Sequence, residues 1–489
     1  ANGRTVKTTL PGGGTVSYAY DALGRVSQMT DAMEGVSSLT YNAVGSPLTV
    51  TNENGASIGY VYDANGNVTQ QTDPRGSVWT SAFDNKNNVT LTKDPTGAQT
   101  LYVYDAAGRL AEIHDALGNA TSYRLNGRGL PVEIIDALGQ KYTMEYDAAG
   151  NLIKETLPDG SSTQYAYNRG GRLIRMEDAD GLVTEYEYDV LGNVTKEANN
   201  AGLSYTYTYN AVGLPLTATD ALGQTTSFQY DSMDRVLKAT DAGGASVQYT
   251  YDLNGRVTQV LDPLNAATQY EYDSMGNVTL VKDAESRATQ YTYDALDRLT
   301  SVTDGTGVTT SYGYDSVGNL VTRTDGEGKT TAYAYDLAGQ LVSTTNAKGE
   351  TTQNTYNEVG NRVGAQLPSG KSITYDYDAL DALVQKSYST GEADVLYSYS
   401  PDGNLVSMRD ATGDSTYTYD ANGRLVSYTN AFSATVSYAY NENGEISAIT
   451  YPDGKTVGYE YDALGRMVKV TGRDGGETVY EYDAQGSVT

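Results

Sequence analysis

The sequence has no cysteine, one histidine, one tryptophan and three phenylalanines in 489 residues. Without cysteine there is no disulfide framework and no thiol chemistry. Cations are scarce as well: 33 Lys and Arg stand against 61 Asp and Glu, a net charge of −28. A nucleic-acid partner would require Lys and Arg for its phosphates, and an anionic membrane surface would repel such a chain. No apolar stretch is long enough to span a bilayer. Hydrophobic residues are only 39% even with tyrosine counted, too little aliphatic mass for a conventional thick core. The single histidine, His114, has no recognisable partner motif, and Ser-His-Asp chemistry needs a constellation that no spacing here supplies, so no catalytic residue is expected.

Tyrosine is what the chain has in quantity, 44 of them, and they fall in a register. The stretch Gln248–Asp273, QYTYDLNGRVTQVLDPLNAATQYEYD, holds one full unit of 21 residues between Tyr251 and Tyr272. Stepping by 21 from Tyr20 to Tyr482 gives 23 positions, of which twenty are Tyr and one is Phe83, with Leu125 and Ser398 as exceptions. The next column is Asp or Asn at 22 of 23 positions, broken only by Tyr399. Three residues further on, Gly occupies 18 positions, and the other five are Asn87, Asp234, Asp297, Asp381 and Asp402. Asn and Asp are the non-glycine residues that best tolerate positive φ, so this column predicts a left-handed backbone. Asp first and a left-handed residue fourth describe a type I turn followed by a G1 bulge, with the Asp side chain bonding the backbone two residues on.

Eleven residues after the Tyr column comes a second turn, as DALG at Asp136 and Asp220, DPRG at Asp73, DPTG at Asp94, LPDG at Leu157 and LPSG at Leu367. Proline stands at the second position, for which its fixed φ is pre-set. Between the turns lie runs of about six or seven residues rich in Thr, Tyr and Val, the composition of strands. No 3.6-residue apolar periodicity is sustained, so no helix is expected. A fixed period of this size reads as a repeat array, here two strands and two turns per repeat.

The Tyr-Asp-x-x-Gly-[Arg/Asn] pattern, seen as YDALGR at Tyr20 and Tyr461, YDANGN at Tyr62, YDANGR at Tyr419 and YDLNGR at Tyr251, resembles the YD repeats of Rhs and wall-associated proteins. Similar repeats occur in the shell components of insecticidal Tc toxins and in teneurins. The resemblance covers essentially the whole chain. It implies an all-β fold in which tandem β-hairpins form one continuous spiralling sheet, a hollow shell or solenoid-like spiral. It also implies a non-enzymatic role, the enclosing or presenting of a C-terminal effector in a secreted or cell-surface bacterial toxin. The alternative is an extracellular adhesion or filament-forming module built from the same ribbon, with self-assembly or a secretion-system or cell-surface partner.

Residues 1–489 are therefore expected to be one array of about 23 repeats, an internal part of a longer polypeptide. The opening ANGR aligns with Ala22–Arg25. About 46 strands at ~4.8 Å each give a ribbon ~220 Å long, which sheet twist should curve, with the two turn types on opposite rims. Each Tyr pair sits at i and i+2 on one face, predicting aromatic ladders whose hydroxyls reach water. Equivalent turn Asp residues lie ~9.5 Å apart, about one Debye length, so their repulsion is tolerable.

No metal or cofactor is expected. The abundant Asp residues match neither the EF-hand loop nor the glycine-rich calcium nonapeptide and read as turn formers. Asn-Val-Thr at Asn67, Asn88, Asn193 and Asn277 is formally a glycosylation sequon but follows from strand and turn preference. The Asp-Pro pairs lie inside ordinary repeats and carry no protease assignment. Two regions break the pattern. In residues Val78–Leu130 the aromatics change, to Trp79 and Phe83, and Arg124 and His114 appear. Between Gly391 and Tyr399 there is one residue too many, and between Gly413 and Tyr419 one too few. A one-residue slip swaps the faces of a strand, which predicts a repairing β-bulge.

Overall fold

A computed structural model describes residues 4–179, 181–200, 202–441, 444–462, 465–482 and 488. Among these residues every helix or strand is a strand; there are 46, all in one sheet. Strands of six and five residues alternate, as in Ala267–Tyr272, Val278–Lys282 and Ala288–Tyr293. Neighbours in sequence pair antiparallel: Glu271 faces Leu280, and Leu280 faces Gln290. The Thr- and Val-rich alternation thus becomes a meander, each hairpin closed by a turn of the sequence repeat.

The expected turn geometry is present. In the first turn, Gly276 N–H donates to the Asp273 carbonyl at 3.3 Å, and Asp273 N–H donates to the Asn277 carbonyl at 3.0 Å, the type I turn with its G1 bulge. Asp273 Oδ1 accepts from the N–H of Met275 and of Asn277, both at 2.9 Å. The second turn repeats this plan, with Ser286 bonded to the Asp283 carbonyl. The left-handed column holds for non-glycine residues too: φ is 66° at Asn87, 63° at Asp234, 62° at Asp297 and 62° at Asp381. Asp402 is the exception. The left-handed residue there is Gly403, with φ 85°, and Ser400 takes the Asp place. One inserted residue upstream had displaced the fixed-step count.

That insertion needs no bulge of its own. The extra residue sits in the connection between strands Leu383–Tyr388 and Val395–Tyr399, and the register beyond matches that of other repeats, Ser398 facing Ser407. The missing residue is taken from the next second turn, where Asp410 faces Gly413 directly. Both length changes fall in turns because a slip inside a strand would turn its Tyr residues to the other face.

By contacts the chain divides into two compact units. The first comprises Ala1–Val103, His114–Gly118 and Tyr249–Glu392; the second comprises Tyr104–Ile113, Asn119–Gln248 and Ala393–Thr489. Both are hairpin ribbon. Among the described residues Ala56 and Ala365 are the only buried hydrophobic side chains, so the thin core anticipated from composition is what forms. Tyr270 and Tyr272 are half-buried while Glu271 between them is exposed. Hydroxyls of the opposite face pair across the second turns, Thr303 with Thr309, Thr324 with Thr330 and Thr345 with Thr351, each at 2.8 Å.

Candidate functional site

The candidate functional feature of this chain is a ladder of turns, built by a tyrosine and by one turn residue that is an arginine in some repeats and an asparagine in others. The first is the tyrosine of the 21-residue column. Its hydroxyl was expected in water, but it bonds backbone instead. Tyr272 donates to the Val257 carbonyl at 2.7 Å, Tyr293 to Val278 at 3.0 Å, and Tyr461 to Ile446 at 2.9 Å, each fifteen residues upstream. The pairing of Val278–Lys282 with the next strand ends at Leu280–Gln290, two residues short of Val278. The strands diverge there, and the tyrosine fills the gap and satisfies the carbonyl left over. Where proline begins the strand, as at Pro47 and Pro215, its missing N–H costs nothing and its carbonyl still receives Tyr62 or Tyr230, both at 2.8 Å.

The second element is the arginine just after the left-handed glycine. Arg256 Nε donates to Asp252 Oδ2 at 2.6 Å in its own turn, and Nη1 donates to the Asp273 carbonyl of the next repeat at 2.9 Å. The guanidinium lies over the Tyr272 ring, 4.7 Å from its centroid. Arg25 repeats all three contacts with Asp21, Asn42 and Tyr41, and Arg298 repeats them with Asp294, Asp315 and Tyr314. Turn is thus tied to turn by charge-assisted bonds and a cation–π contact.

The third element is the asparagine that replaces this arginine. Asn277 Nδ2 donates to Asp273 and, at 2.8 Å, to Asp297 Oδ1 twenty residues on. Asn67 reaches Asn87 at 2.9 Å, and Asn361 reaches Asp381 at 2.6 Å. Three of the four non-glycine left-handed residues of this column are therefore acceptors for an asparagine one repeat earlier. The sequence contained this signal, an Asn in the fifth turn position followed twenty residues later by a non-glycine. The sequon residues Asn67, Asn88, Asn193 and Asn277 all spend their side-chain amide on the turn Asp of their own repeat.

A longer-range contact joins turns of opposite type. In the first unit, Gly12 N–H points to Met275 Sδ at 3.2 Å, and Asn54 Nδ2 donates to Asp315 Oδ2 at 3.2 Å. Arg75, paired with Asp73 at 2.9 Å, donates to Gln340 Oε1 at 2.8 Å, to the Asn357 carbonyl at 3.0 Å and to the Glu358 carbonyl at 2.9 Å. In the second unit, Asn422 donates to Asp159 at 3.2 Å. Each time a second turn meets a first turn 261 to 283 residues later. Within each unit the ribbon therefore returns and is bonded rim to rim. The register of this return is not uniform. The turn at Asn52 faces the one at Asp315, whereas the turn at Asp73 faces the one at Asn357 and passes over the one at Asp336. Arg75 spans that step, touching Gln340 of the passed turn and the two carbonyls beyond it.

Several turn carboxylates are held in their charged form, Asp63, Asp105 and Asp147 among them. Hydrogen bonds hold Asp63 and Asp147 below the usual carboxylate range, chiefly from Asn67 and Asn151, and Asp105 likewise, chiefly from the Arg109 backbone. Glu133 is lowered to about 2 by hydrogen bonds first from Arg124 and then from Lys141. Burial raises the phenols of Tyr272 and Tyr293.

Of the other residues singled out in the sequence, His114 ends the strand Leu110–His114, and Asp73, Asp94 and Asp262, each followed by proline, open ordinary second turns. Arg124 belongs to the charged group around Glu133. Among the described residues no group of three or more His, Cys, Asp or Glu side chains converges. No helix among them is long and apolar enough to cross a membrane.

The teneurin YD-shell family model matches residues 38–182, 166–312 and 386–487, more than half of the chain, and the RHS repeat model matches residues 1–32 and 314–351. The chain belongs to the YD-shell family. The crystal structure of TcdB2-TccC3-TEV has the same fold, with a TM-score of 0.63 at 15% identity, covering 99% of this YD-shell chain and 38% of its own. The crystal structure of TcdB2-TccC3 gives 0.60 at 17% identity over 99% and 36%. TcdB2-TccC3 without its hypervariable C-terminal region gives 0.53 at 15% identity over 99% and 38%. The YD-shell chain thus spans well under half the length of these structures. No curated protein matches the sequence significantly.

Proposed function

We propose that this chain is a non-enzymatic stretch of shell wall, one repeat array from residue 1 to 489, that encloses or presents a C-terminal effector of the same bacterial polypeptide. The observation that carries this reading is the rim contact made by Arg75. A wall that keeps proteases and water-borne partners from its contents must close the seam between one pass of the ribbon and the next. Arg75 with Gln340, Asn357 and Glu358, Asn54 with Asp315, and Asn422 with Asp159 are bonds across such seams. The repeat-to-repeat staples supply the other direction of stiffness. No cofactor or metal enters this role, and the turn Asp residues are accounted for as turn formers. Secretion or cell-surface display is part of the proposal, as is a secretion-system or cell-surface partner.

Limited proteolysis of the parent polypeptide tests it. The segment that follows the array should resist a protease that digests the same segment expressed alone. Equal digestion rates would remove the enclosing role. They would favour the adhesion or filament reading.

A further inference from the structure

One hairpin of the first unit departs from the ring pattern and opens a cavity. Two residues before the column tyrosine most repeats place a second ring, as at Tyr60 and Tyr102. In the strand between these two, Val78–Phe83, that place is Ser81. An aromatic side chain stands instead two residues earlier on the same face, at Trp79, the only tryptophan of the chain. Asn354, another polar residue at the ring position, donates its amide to the Leu341 carbonyl at 3.0 Å. Among the described residues the Ser81 hydroxyl makes no bond of this kind, and neither do those of Thr92 and Thr100. Ser81 faces Thr92 and Thr92 faces Thr100, so three short hydroxyl side chains lie in a row on the face that carries Trp79. With Lys93, Asp94 and residues 379–381 of a first turn, they line a cavity of about 360 Å³.

We propose that this cavity binds a saccharide of one or two rings. The indole of Trp79 supplies a flat π surface, whose negative charge attracts the C–H groups along one side of a pyranose ring. The hydroxyls of Ser81, Thr92 and Thr100 can each donate and accept, as the hydroxyls of a sugar do. Lys93, exposed and without an ion pair among the described residues, adds donors. Asp94 adds an acceptor: its Oδ1 takes the N–H groups of Gly97 and Ala98, both at 2.9 Å, and its Oδ2 is left over from the turn. One cation and one carboxylate balance each other in this lining, which favours a neutral ligand over a charged one. An apolar ligand would leave the row of hydroxyls unpaired. The volume stands at the low end of ligand cavities, ~300–1,000 Å³, and suits a mono- or disaccharide. This inference does not rest on the enclosing role. A sugar site would serve a shell wall and a surface module equally.

Trp79 reports on its own site, since no other tryptophan contributes to the fluorescence of the purified chain. The chain is first read on an array of immobilised glycans, and those it retains are titrated in solution against Trp79 emission. At least one should bind with a saturating change in emission. Trp79→Ala should weaken retention by about tenfold or more, and Trp79→Phe, which keeps a ring, by less. Ser81→Tyr restores the ring of the flanking repeats and fills the cavity. Tyr205 and Tyr207 already stand together at these two places, ring centroids 6.3 Å apart, so this variant should keep the circular dichroism and melting of the parent. It should abolish the emission change. An array that retains nothing, or binding that Ser81→Tyr leaves intact, overturns the proposal. N-acetyltyrosinamide is the second probe. If it changes Trp79 emission and no glycan does, the cavity takes an aromatic side chain of a protein and the saccharide reading fails.

Discussion

The hydroxyl of Tyr272 donates to the carbonyl of Val257, fifteen residues upstream, at 2.7 Å, and the same bond recurs from Tyr41 to Val26 and from Tyr482 to Met467. Tyrosine is therefore kept in this column for both its ring and its oxygen. Tyr272→Phe should retain the ring under Arg256 and lose about 1 kcal/mol locally, because the Val257 carbonyl is left without its donor. Phe83→Tyr should act in the opposite sense at the Val68 carbonyl. Hydrogen exchange of the amides around residues 255–280 checks the first, since an array of this kind responds near the altered repeat. Unchanged exchange in Tyr272→Phe would mean that water replaces the hydroxyl at no cost.

Arg75→Ala should be more damaging than removal of an ordinary surface arginine, by about 2–3 kcal/mol, because it deletes three bonds to residues more than 260 positions away as well as the pair with Asp73. Arg75→Lys should recover part of this, since one ammonium cannot reach Gln340, Asn357 and Glu358 together. Faster amide exchange in residues 336–360 is the expected mark. If only residues near Arg75 itself respond, the rim contact is not a staple.

Gly255 has φ 85° in the first turn after Tyr251. Gly255→Val should destabilise by roughly 1–2 kcal/mol, since a β-branched residue is poor at positive φ. Gly255→Asn should be milder, as Asn87 with φ 66° shows in an equivalent turn. Equal melting temperatures of the two variants would contradict the left-handed requirement.

Acid should weaken the fold. Asp63, Asp105, Asp147 and Glu133 have folded pKa values below their ordinary ones, so each contributes stability that is complete above its unfolded pKa, ~3.9 for Asp and ~4.3 for Glu. That contribution is lost as pH falls through the folded value, about 2 for Glu133. Protonation also relieves the repulsion of a net −28, which acts in the opposite sense. Because the turn carboxylates are hydrogen-bonded in repeat after repeat, their loss should win. The melting temperature should hold steady above about pH 5 and fall below about pH 4. A melting temperature that rises on acidification would show that repulsion dominates.

The repeat made much of this fold legible. The Tyr, Asp and Gly columns fixed strand, turn and left-handed residue because those features are local and each recurs at most of 23 steps. Asp402 was misread because a fixed step of 21 ignores one inserted residue, and the structure absorbs that residue in a turn. The destination of the tyrosine hydroxyl was missed because it depends on where neighbouring strands diverge, which no single-strand pattern encodes. The pairing of Arg75 with Asn357 was out of reach for a different reason. It depends on a small rotation accumulated over a dozen repeats, and the local motif around either residue does not state that rotation.

Electron cryomicroscopy of the parent polypeptide tests the central claim most directly. A shell predicts a curved wall of hairpins with first turns seated on second turns along its seams, the Arg75 contact among them, and effector density inside. Solid rods without a lumen, or an effector segment lying outside an open ribbon, would contradict it.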